Sequence, residues 1–157
     1  MAVTDSDLGW KAIKRELERA KGREVAVGIL QGSVDSDGTS IAEYAAYNEF
    51  GTDDEFGNEN IHSRPFMAMS FDENKADIEA DFTRQGKAMV EGKRTANEAL
   101  TIIGQNHAGR IQTTITGRDI LPKLADSTIK AKGSTKTLVD TGAMANAVQI
   151  SIRRRQG

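Results

Sequence analysis

The chain contains no cysteine and only two prolines among its 157 residues. The absence of cysteine excludes a disulfide framework, a thiolate zinc site and a cysteine nucleophile. No run of about 18 apolar residues occurs, so the sequence predicts no membrane-spanning helix. The opening stretch "MAVTDSDLGW" lacks the basic and then apolar pattern of a secretory signal. We therefore expect synthesis in a reducing cytoplasm.

The chain also has little excess charge of either sign. It carries 21 Lys and Arg against 23 Asp and Glu, a net charge of -2. A dedicated nucleic-acid-binding domain usually has clustered cations that neutralise phosphates, and this composition argues against that class. One basic cluster stands near the C-terminal end, and it is interpreted either as a solvated tail or as a possible charged contact: Arg153, Arg154 and Arg155.

The length favours one domain, residues 1–157, with enough chain to bury a core. Apolar residues at spacings of three and four predict helices over about 5–21, 41–50, 65–90 and 96–117. Alternating apolar residues predict two strands that are distant in sequence, near 24–30 and 147–153. The expected fold class is α+β and mostly helical, with a small antiparallel sheet packed against several helices.

The helix ends carry recognisable signals. Ser40 with Glu43 forms a predicted capping box for the helix 41–50. Thr95 with Glu98 forms a second one. Gly51 suits a left-handed residue after a helix.

Several loops and further helix starts follow from the same signals. Pro65 fits the first turn of the next helix, where its missing N–H is harmless. Asp140 or Thr141 is predicted to begin a helix near the C-terminal end. The segment 31–40 is predicted to be a loop or a hairpin tip, and the segment 52–62 is predicted to be an exposed loop.

No catalytic or metal motif emerges from the pattern. His107 lies on an apolar helix face and is interpreted as a packed residue, and a lone His62 in a loop is a weak candidate base. The acidic stretch "TDDEFGNEN" lacks the spacing of a calcium loop. "DTG" at 140–142 matches the active-site triplet of aspartic proteases but precedes a predicted helix. We expect no enzymatic activity, no cofactor and no bound metal.

Three segments in order resemble the tail-component family of tailed bacteriophages. They are "IAEYAAYNEFGT", then "IHSRPFM", then "LADSTIKAKGSTKTLVDTGAMANAVQI". The residues that match the family's pattern are Tyr44, Glu49, Phe50, Gly51, Thr52, Arg64, Pro65, Phe66, Leu138, Asp140, Thr141 and Gly142. Thr137 and Met144 depart from it, since the family commonly has Pro and Leu there.

The resemblance implies a structural virion protein of a phage or prophage, located in the neck or tail and assembled in the host bacterial cytoplasm. Members form part of a ring, commonly of six subunits, that completes the tail and lets it join the head while DNA passes through. Implied partners are other copies of the chain and neighbouring head-completion, tail terminator or tail tube proteins. A tail terminator or a minor tail protein is an alternative station in the same family.

Two further hypotheses belong to other classes: a small non-viral binding or regulatory module, and a hydrolase that uses His107 or His62. We interpret the first two resembling segments as a structural joint. Phe50 and Gly51 are expected to make a packed turn, and Phe66 is expected in the core. Arg64 is expected either to pair with a nearby carboxylate or helix-end carbonyl or to contact another subunit.

Overall fold

The computed structural model describes residues 9–30, 32–35, 38–57, 59–117, 120 and 142–155. Its six helices are α1 (Trp10–Lys21), α2 (Ile41–Phe50), α3 (Phe66–Glu73), α4 (Lys75–Val90), α5 (Ala96–Gly117) and α6 (Ala143–Asn146). Its strands are β1 (Arg23–Ile29), β2 (Thr52–Asp53), β3 (Glu59–Ile61) and β4 (Val148–Arg154). The predicted α+β, mostly helical fold is confirmed. No helix of these ranges has the length and apolarity that crossing a membrane requires.

The two long strands pair with each other, as the sequence predicts. β1 and β4 form a two-stranded antiparallel sheet. The backbone N–H of Arg155, just after β4, donates to the carbonyl of Gly22, just before β1, at 3.0 Å. The second sheet is the antiparallel pair of β2 and β3, with Thr52 opposite Ile61.

The chain divides into two compact units, each built from separate segments. Unit 1 comprises residues 1–26, 76–106 and 150–157, and unit 2 comprises residues 27–75 and 107–149. β1, α5 and β4 each contribute residues to both units. The single domain 1–157 stays a prediction.

Unit 1 has a small core beneath α1. Met89, Ala96 and Ala99 are buried, and Leu17 and Ala20 of α1 pack against them. The sequence also places Trp10 on this face, but its side chain is 63% exposed. The predicted helix 5–21 is corrected at its start, because α1 has Gly9 at its N-cap position and residues 1–8 lie outside the described part.

A close approach between α5 and the long sheet also belongs to unit 1. Gly104 is buried in α5, and a Cβ built there would lie 2.6 Å from Cγ2 of Val25 in β1 and 3.2 Å from Cγ2 of Ile150 in β4. Such distances are shorter than real carbon contacts, so the helix and the sheet meet at a point that has room only for hydrogen. The absence of a side chain at Gly104 therefore determines how closely α5 packs against the sheet of β1 and β4.

Unit 2 is centred on Phe66, which is fully buried. Ile111 and Ile115 of α5 are each 1% exposed and supply the apolar face that the sequence predicts. α2 packs against α6, and the side-chain amide of Gln112 donates to the carbonyl of Ala145 at 3.2 Å.

The predicted helix 65–90 is two helices. Asn74 ends α3, where its backbone N–H and its side-chain amide both donate to the carbonyl of Ser70, at 3.3 and 2.8 Å. An Asn side chain that competes for a helix carbonyl in this way favours termination. Gly86, which weakens the helix prediction, lies inside an uninterrupted α4.

The predicted exposed loop 52–62 is partly a hairpin. β2 and β3 pair across a turn in which the backbone N–H of Gly57 donates to the carbonyl of Asp54 at 3.0 Å. The strands have two and three residues. That is too short for an alternating apolar pattern to reveal them.

We predict that Gly104→Ala lowers the free energy of unfolding by about 1 to 3 kcal/mol, because the added methyl group overpacks the contact with Val25 and Ile150. Gly109→Ala is the matched control in the same helix, since a Cβ there meets nothing within 4 Å. It is expected to raise the unfolding free energy by about 0.5 to 1 kcal/mol through helix propensity. Urea unfolding of both variants measures the difference, and equal effects would contradict the assignment of close packing.

Candidate functional site

The first two resembling segments meet in unit 2, at what we call the α2–α3 joint: residues 47–51 and 61–68. The backbone N–H of Arg64 donates to the carbonyl of Asn48 at 2.5 Å. The hydroxyl of Ser63 donates to the carbonyl of Glu49 at 2.8 Å. Both carbonyls belong to the last turn of α2 and lack partners within their own helix, so the connecting segment satisfies the C-terminal end of that helix.

Glu49 holds the other side of the joint. Its side chain is buried, with 9% of the residue exposed. One carboxylate oxygen accepts the backbone N–H of Met67 at 2.9 Å, and the other accepts that of Ala68 at 3.1 Å. These N–H groups lie in the first turn of α3, where no helical carbonyl reaches them. Pro65 occupies the N-cap position and makes no side-chain cap. Glu49 therefore caps a helix to which it does not belong.

The Arg64 and Phe66 side chains are both buried beside this cap, at 7% and 0% exposed. A guanidinium nitrogen of Arg64 donates to the carbonyl of His62 at 3.3 Å. This acceptor lies between β3 and α3, so the expected pairing with a carboxylate or a helix-end carbonyl stays a prediction. The expected core position of Phe66 is confirmed. Pro65 is corrected by one position, since it precedes the helix that begins at Phe66.

Gly51 is the point of closest backbone contact in the joint. Its φ is 75° and its ψ is 173°, a region that residues with side chains essentially do not occupy. A Cβ at Gly51 would lie 2.8 Å from the carbonyl oxygen of Ile61 and 3.1 Å from the backbone N of Ser63. Thr52 follows in β2 with its hydroxyl buried, and that oxygen has no hydrogen-bond partner among the described residues.

The expected packing of Phe50 is wrong. Its side chain is 80% exposed at the end of α2. Ile41, Ala45 and Glu49 form the buried face of α2, and Phe50 falls beyond that face. Tyr44 is half-buried beside it. The turn is held by Gly51 and the backbone, with no contribution from the Phe50 ring.

Tyr47 lies on the exposed face of α2. It is 41% exposed, and its hydroxyl donates to Glu43 at 2.6 Å. That hydrogen bond is the main reason why the pKa of Tyr47 lies above its ordinary value. The predicted capping box is present in part, because the Ser40 hydroxyl accepts the backbone N–H of Glu43 at 3.3 Å.

Only the end of the third resembling segment, residues 142–150, lies among the described residues. Gly142, with a φ of 78°, is the N-cap residue of α6, which packs against α2. The predicted helix start at Asp140 or Thr141 is thus corrected to Ala143. Leu138, Asp140 and Thr141 lie outside the described residues.

The basic cluster is not a free tail. Arg153 and Arg154 are the last residues of β4, and all three arginines are exposed. Arg153 pairs with Glu24 at 2.6 Å, and the backbone of Arg155 continues the contact with β1. The positive charge is therefore carried on an ordered strand end.

The two histidines lie in different surroundings. His107 makes an edge-to-face contact with Phe71, with ring centroids 6.2 Å apart. Its pKa lies below the ordinary value, first because of burial and then because of the nearby Arg110. His62 is exposed. No group of three potential metal ligands occurs among the described residues.

Sequence reasoning singled out Glu49 but missed what it does. The available signal was Pro65, because a helix that starts at a proline has no side-chain acceptor of its own and needs one from elsewhere. The roles of Asn48 and Ser63, which act through backbone groups and a hydroxyl, had no comparable signal.

Comparison with protein-family models, with curated proteins and with solved structures found no match to this chain. The family resemblance therefore stays a prediction.

We predict that Glu49→Gln lowers the free energy of unfolding by about 1 kcal/mol and Glu49→Ala by about 2 kcal/mol. Gln retains one acceptor oxygen and places an N–H2 group against the second backbone donor, whereas Ala leaves both donors unsatisfied. Glu43→Gln is the control on the exposed face of the same helix, with an expected effect within about 0.5 kcal/mol. Urea unfolding of the three variants provides the measurement, and equal losses at residues 43 and 49 would contradict the capping role.

We also predict that Gly51→Ala lowers the unfolding free energy by about 2 to 4 kcal/mol, because backbone strain and a clash with the Ile61 carbonyl add together. Gly57→Ala separates the two causes. Gly57 has a φ of 79°, but a Cβ there meets nothing within 4 Å. Its expected loss is about 1 kcal/mol, from strain alone. Thermal unfolding of both variants would refute the packing contribution if the two losses were the same.

Proposed function

We propose that the chain is a structural virion protein of a tailed phage or prophage. In this proposal it forms part of the neck or tail-completion ring that lets the tail join the head and lets DNA pass. The observation that carries the proposal is that half of the twelve resembling residues lie in the α2–α3 joint: Glu49, Phe50, Gly51, Arg64, Pro65 and Phe66. Glu49, Gly51 and Arg64 act through helix capping, backbone contact and burial, which suits a scaffold.

The distribution of aromatic residues supports an assembly role. Four of the five phenylalanines are exposed: Phe50, Phe56, Phe71 and Phe82, at 80%, 80%, 48% and 50%. Large exposed aromatic side chains are enriched where proteins contact other proteins. A subunit of a larger particle has such contacts in its working state, and burial on assembly would offset the cost of exposure.

The long sheet supports the same role. Within the described ranges it consists of two strands, β1 and β4. Strands of other subunits commonly extend such sheets, and closed assemblies cover sheet edges. The proposed partners are copies of this chain and the adjoining head-completion, tail terminator or tail tube proteins.

The proposed passage of DNA needs no grip on a particular sequence. A net charge of -2 provides no excess of cations to hold phosphates. A channel protein of this charge lets DNA slide, which is what ejection requires.

The test is deletion of the reading frame from the phage or prophage, followed by induction and electron microscopy of the lysate. We expect filled heads separated from tails, with unfinished or irregular tail tops. A plasmid copy of the wild-type frame should restore infectious particles. The same plasmid with an early stop codon is the matched control and should not restore them. Normal infectious particles from the deletion would overturn the proposal in favour of the binding-module hypothesis.

A further inference from the structure

The two units differ in charge although the chain is nearly neutral. Over its sequence ranges, unit 1 carries 13 Lys and Arg against 10 Asp and Glu, a net of +3. Unit 2 carries 8 against 13, a net of -5. These two values account for the chain's -2. A molecule that is acidic in one part and basic in another has surfaces that complement those of a second copy.

The acidic unit carries a segment with two exposed phenylalanines that we call the aromatic arm, residues 50–57. Phe50 at its start and Phe56 near its end are each 80% exposed. The turn beneath Phe56 is ordered by two hydrogen bonds. The Asp54 carboxylate accepts the backbone N–H of Phe56 at 2.9 Å, and the Asp54 carbonyl accepts that of Gly57 at 3.0 Å. The ring of Phe56 is therefore presented to solvent by a preformed turn, which lowers the entropy lost when a partner covers it.

The arm is also the most concentrated acidic stretch of unit 2. Asp53, Asp54 and Glu55 are consecutive and exposed. No Lys or Arg occurs between Gly51 and Ile61 in the sequence. An occupant that covers the two phenylalanines therefore has to accept three carboxylates at the same place. The expected occupant is therefore a basic surface with apolar area between its charged side chains.

Unit 1 offers such a surface, which we call the basic groove. It is a groove of about 500 Å³ along the second half of α4 and the residues that follow. Four cations line it, with one carboxylate, Glu91: Arg84, Lys87, Lys93 and Arg94. Lys93 pairs with Glu91 at 2.7 Å, and Arg84 pairs with Asp81. Even with both carboxylates counted, the groove keeps a net positive charge.

The floor of the groove has an unfilled hydrogen-bonding requirement. Gln85 lines it and is 6% exposed. Its side-chain oxygen is buried and has no hydrogen-bond partner among the described residues. Ala88, the neighbour one turn along, adds a small apolar side chain to the lining. The lining thus combines four cations with one small apolar side chain, and the Gln85 oxygen needs a donor such as a backbone N–H of the occupant.

We propose that the aromatic arm of one copy docks in the basic groove of another copy. Phe56 enters the groove, and Asp53 and Glu55 lie against the cations of the rim. The contact joins two different surfaces, so a pair of copies retains one free arm and one free groove. Further copies can then add head to tail, as a ring if the rotation between neighbours closes and as a filament if it does not. The inference deepens the proposed function, on which its place in a virion rests.

The experiment measures self-association of the full chain by sedimentation velocity, up to about 1 mM, the weak end of specific association. Two variants reverse the charges. The arm variant is Asp53→Lys with Glu55→Lys, and the groove variant is Lys87→Glu with Arg94→Glu. Asp54 is left unchanged because its carboxylate orders the turn at Phe56, and Arg84 because it pairs with the buried Asp81. Lys87 also lies 3.9 Å from Glu91, but that pair is exposed.

We expect wild-type oligomers that weaken from about 0.01 M to about 1 M salt, as the screening length falls from roughly 30 Å to roughly 3 Å. Each variant alone should weaken association at least about tenfold, because like charges then face each other. A mixture of the two variants should associate again, since each arm then meets a groove of opposite charge. Phe56→Ala should weaken association in both salts.

The controls match each change outside the arm and the groove. Asp72→Lys with Glu73→Lys makes the same charge change on an exposed part of α3 in unit 2, and Val34→Ala removes exposed apolar surface elsewhere. Both should associate like the wild type. Far-ultraviolet circular dichroism checks that every variant is folded.

Three results would overturn the inference. These are a wild-type chain that stays monomeric throughout, variants that associate normally, and variants whose mixture fails to recover. Duplex DNA that binds the wild type, but not the groove variant, without self-association would assign the groove to a polyanion. Failure of the proposed contact and failure of the proposed function can be told apart. If the deletion gives normal phage while the association experiments confirm the contact, only the proposed function is rejected. If the deletion gives unjoined heads and plasmid copies of both charge variants restore infectious particles, only the proposed contact is rejected.

Discussion

The carboxylate of Glu49 is in an unfavourable position for its own helix and a favourable one for the next. It lies in the last turn of α2, where the helix dipole disfavours negative charge, and α2 has no basic residue there to offset it. Its oxygens reach the first turn of α3, where the dipole and two unsatisfied N–H groups favour an anion. The arrangement is stable only when both helices are formed and in place. The contacts of Gly51, Ser63 and the buried Arg64 serve that requirement, because they hold the segment that joins the two helices.

Unit 1 also has a helix start that is capped by a carboxylate of an earlier helix. The carboxylate of Glu16 in α1 accepts the backbone N–H of Ala96 in the first turn of α5, at 3.0 Å. That hydrogen bond is the main reason why the pKa of Glu16 lies below its ordinary value. Thr95 and Glu98 complete the same helix end through the capping box that the sequence predicts. Each unit thus fixes one helix start with a carboxylate from an earlier helix, which sets the placement of two elements with a few hydrogen bonds.

The fold could be predicted where the determining residues are neighbours in sequence. Helical spacing, the alternation that predicts β1 and β4, and the box at Thr95 depend on a few consecutive turns. The two strands and the box are present as predicted, while two of the four predicted helices differ in their bounds. The joint could not be derived in this way, because Glu49 acts on residues 67 and 68 and a local rule assigns it no role. The exposure of Phe50 was missed for a related reason: an aromatic residue beside a buried helical face looks like core until the neighbouring segment is placed. The break at Asn74 depends on its side-chain amide reaching the Ser70 carbonyl beside the backbone N–H, a contact that composition does not reveal.

The interleaved segments of the two units affect how the chain is made. The polypeptide passes between the units four times, and β4, the last described strand, contributes to both. During synthesis, β1 emerges more than a hundred residues before the strand with which it pairs. Until β4 leaves the ribosome, the apolar faces of β1 and α5 have no permanent cover, and contacts so distant in sequence form slowly. Nascent chains of this protein therefore have a long interval in which chaperone binding competes with premature association.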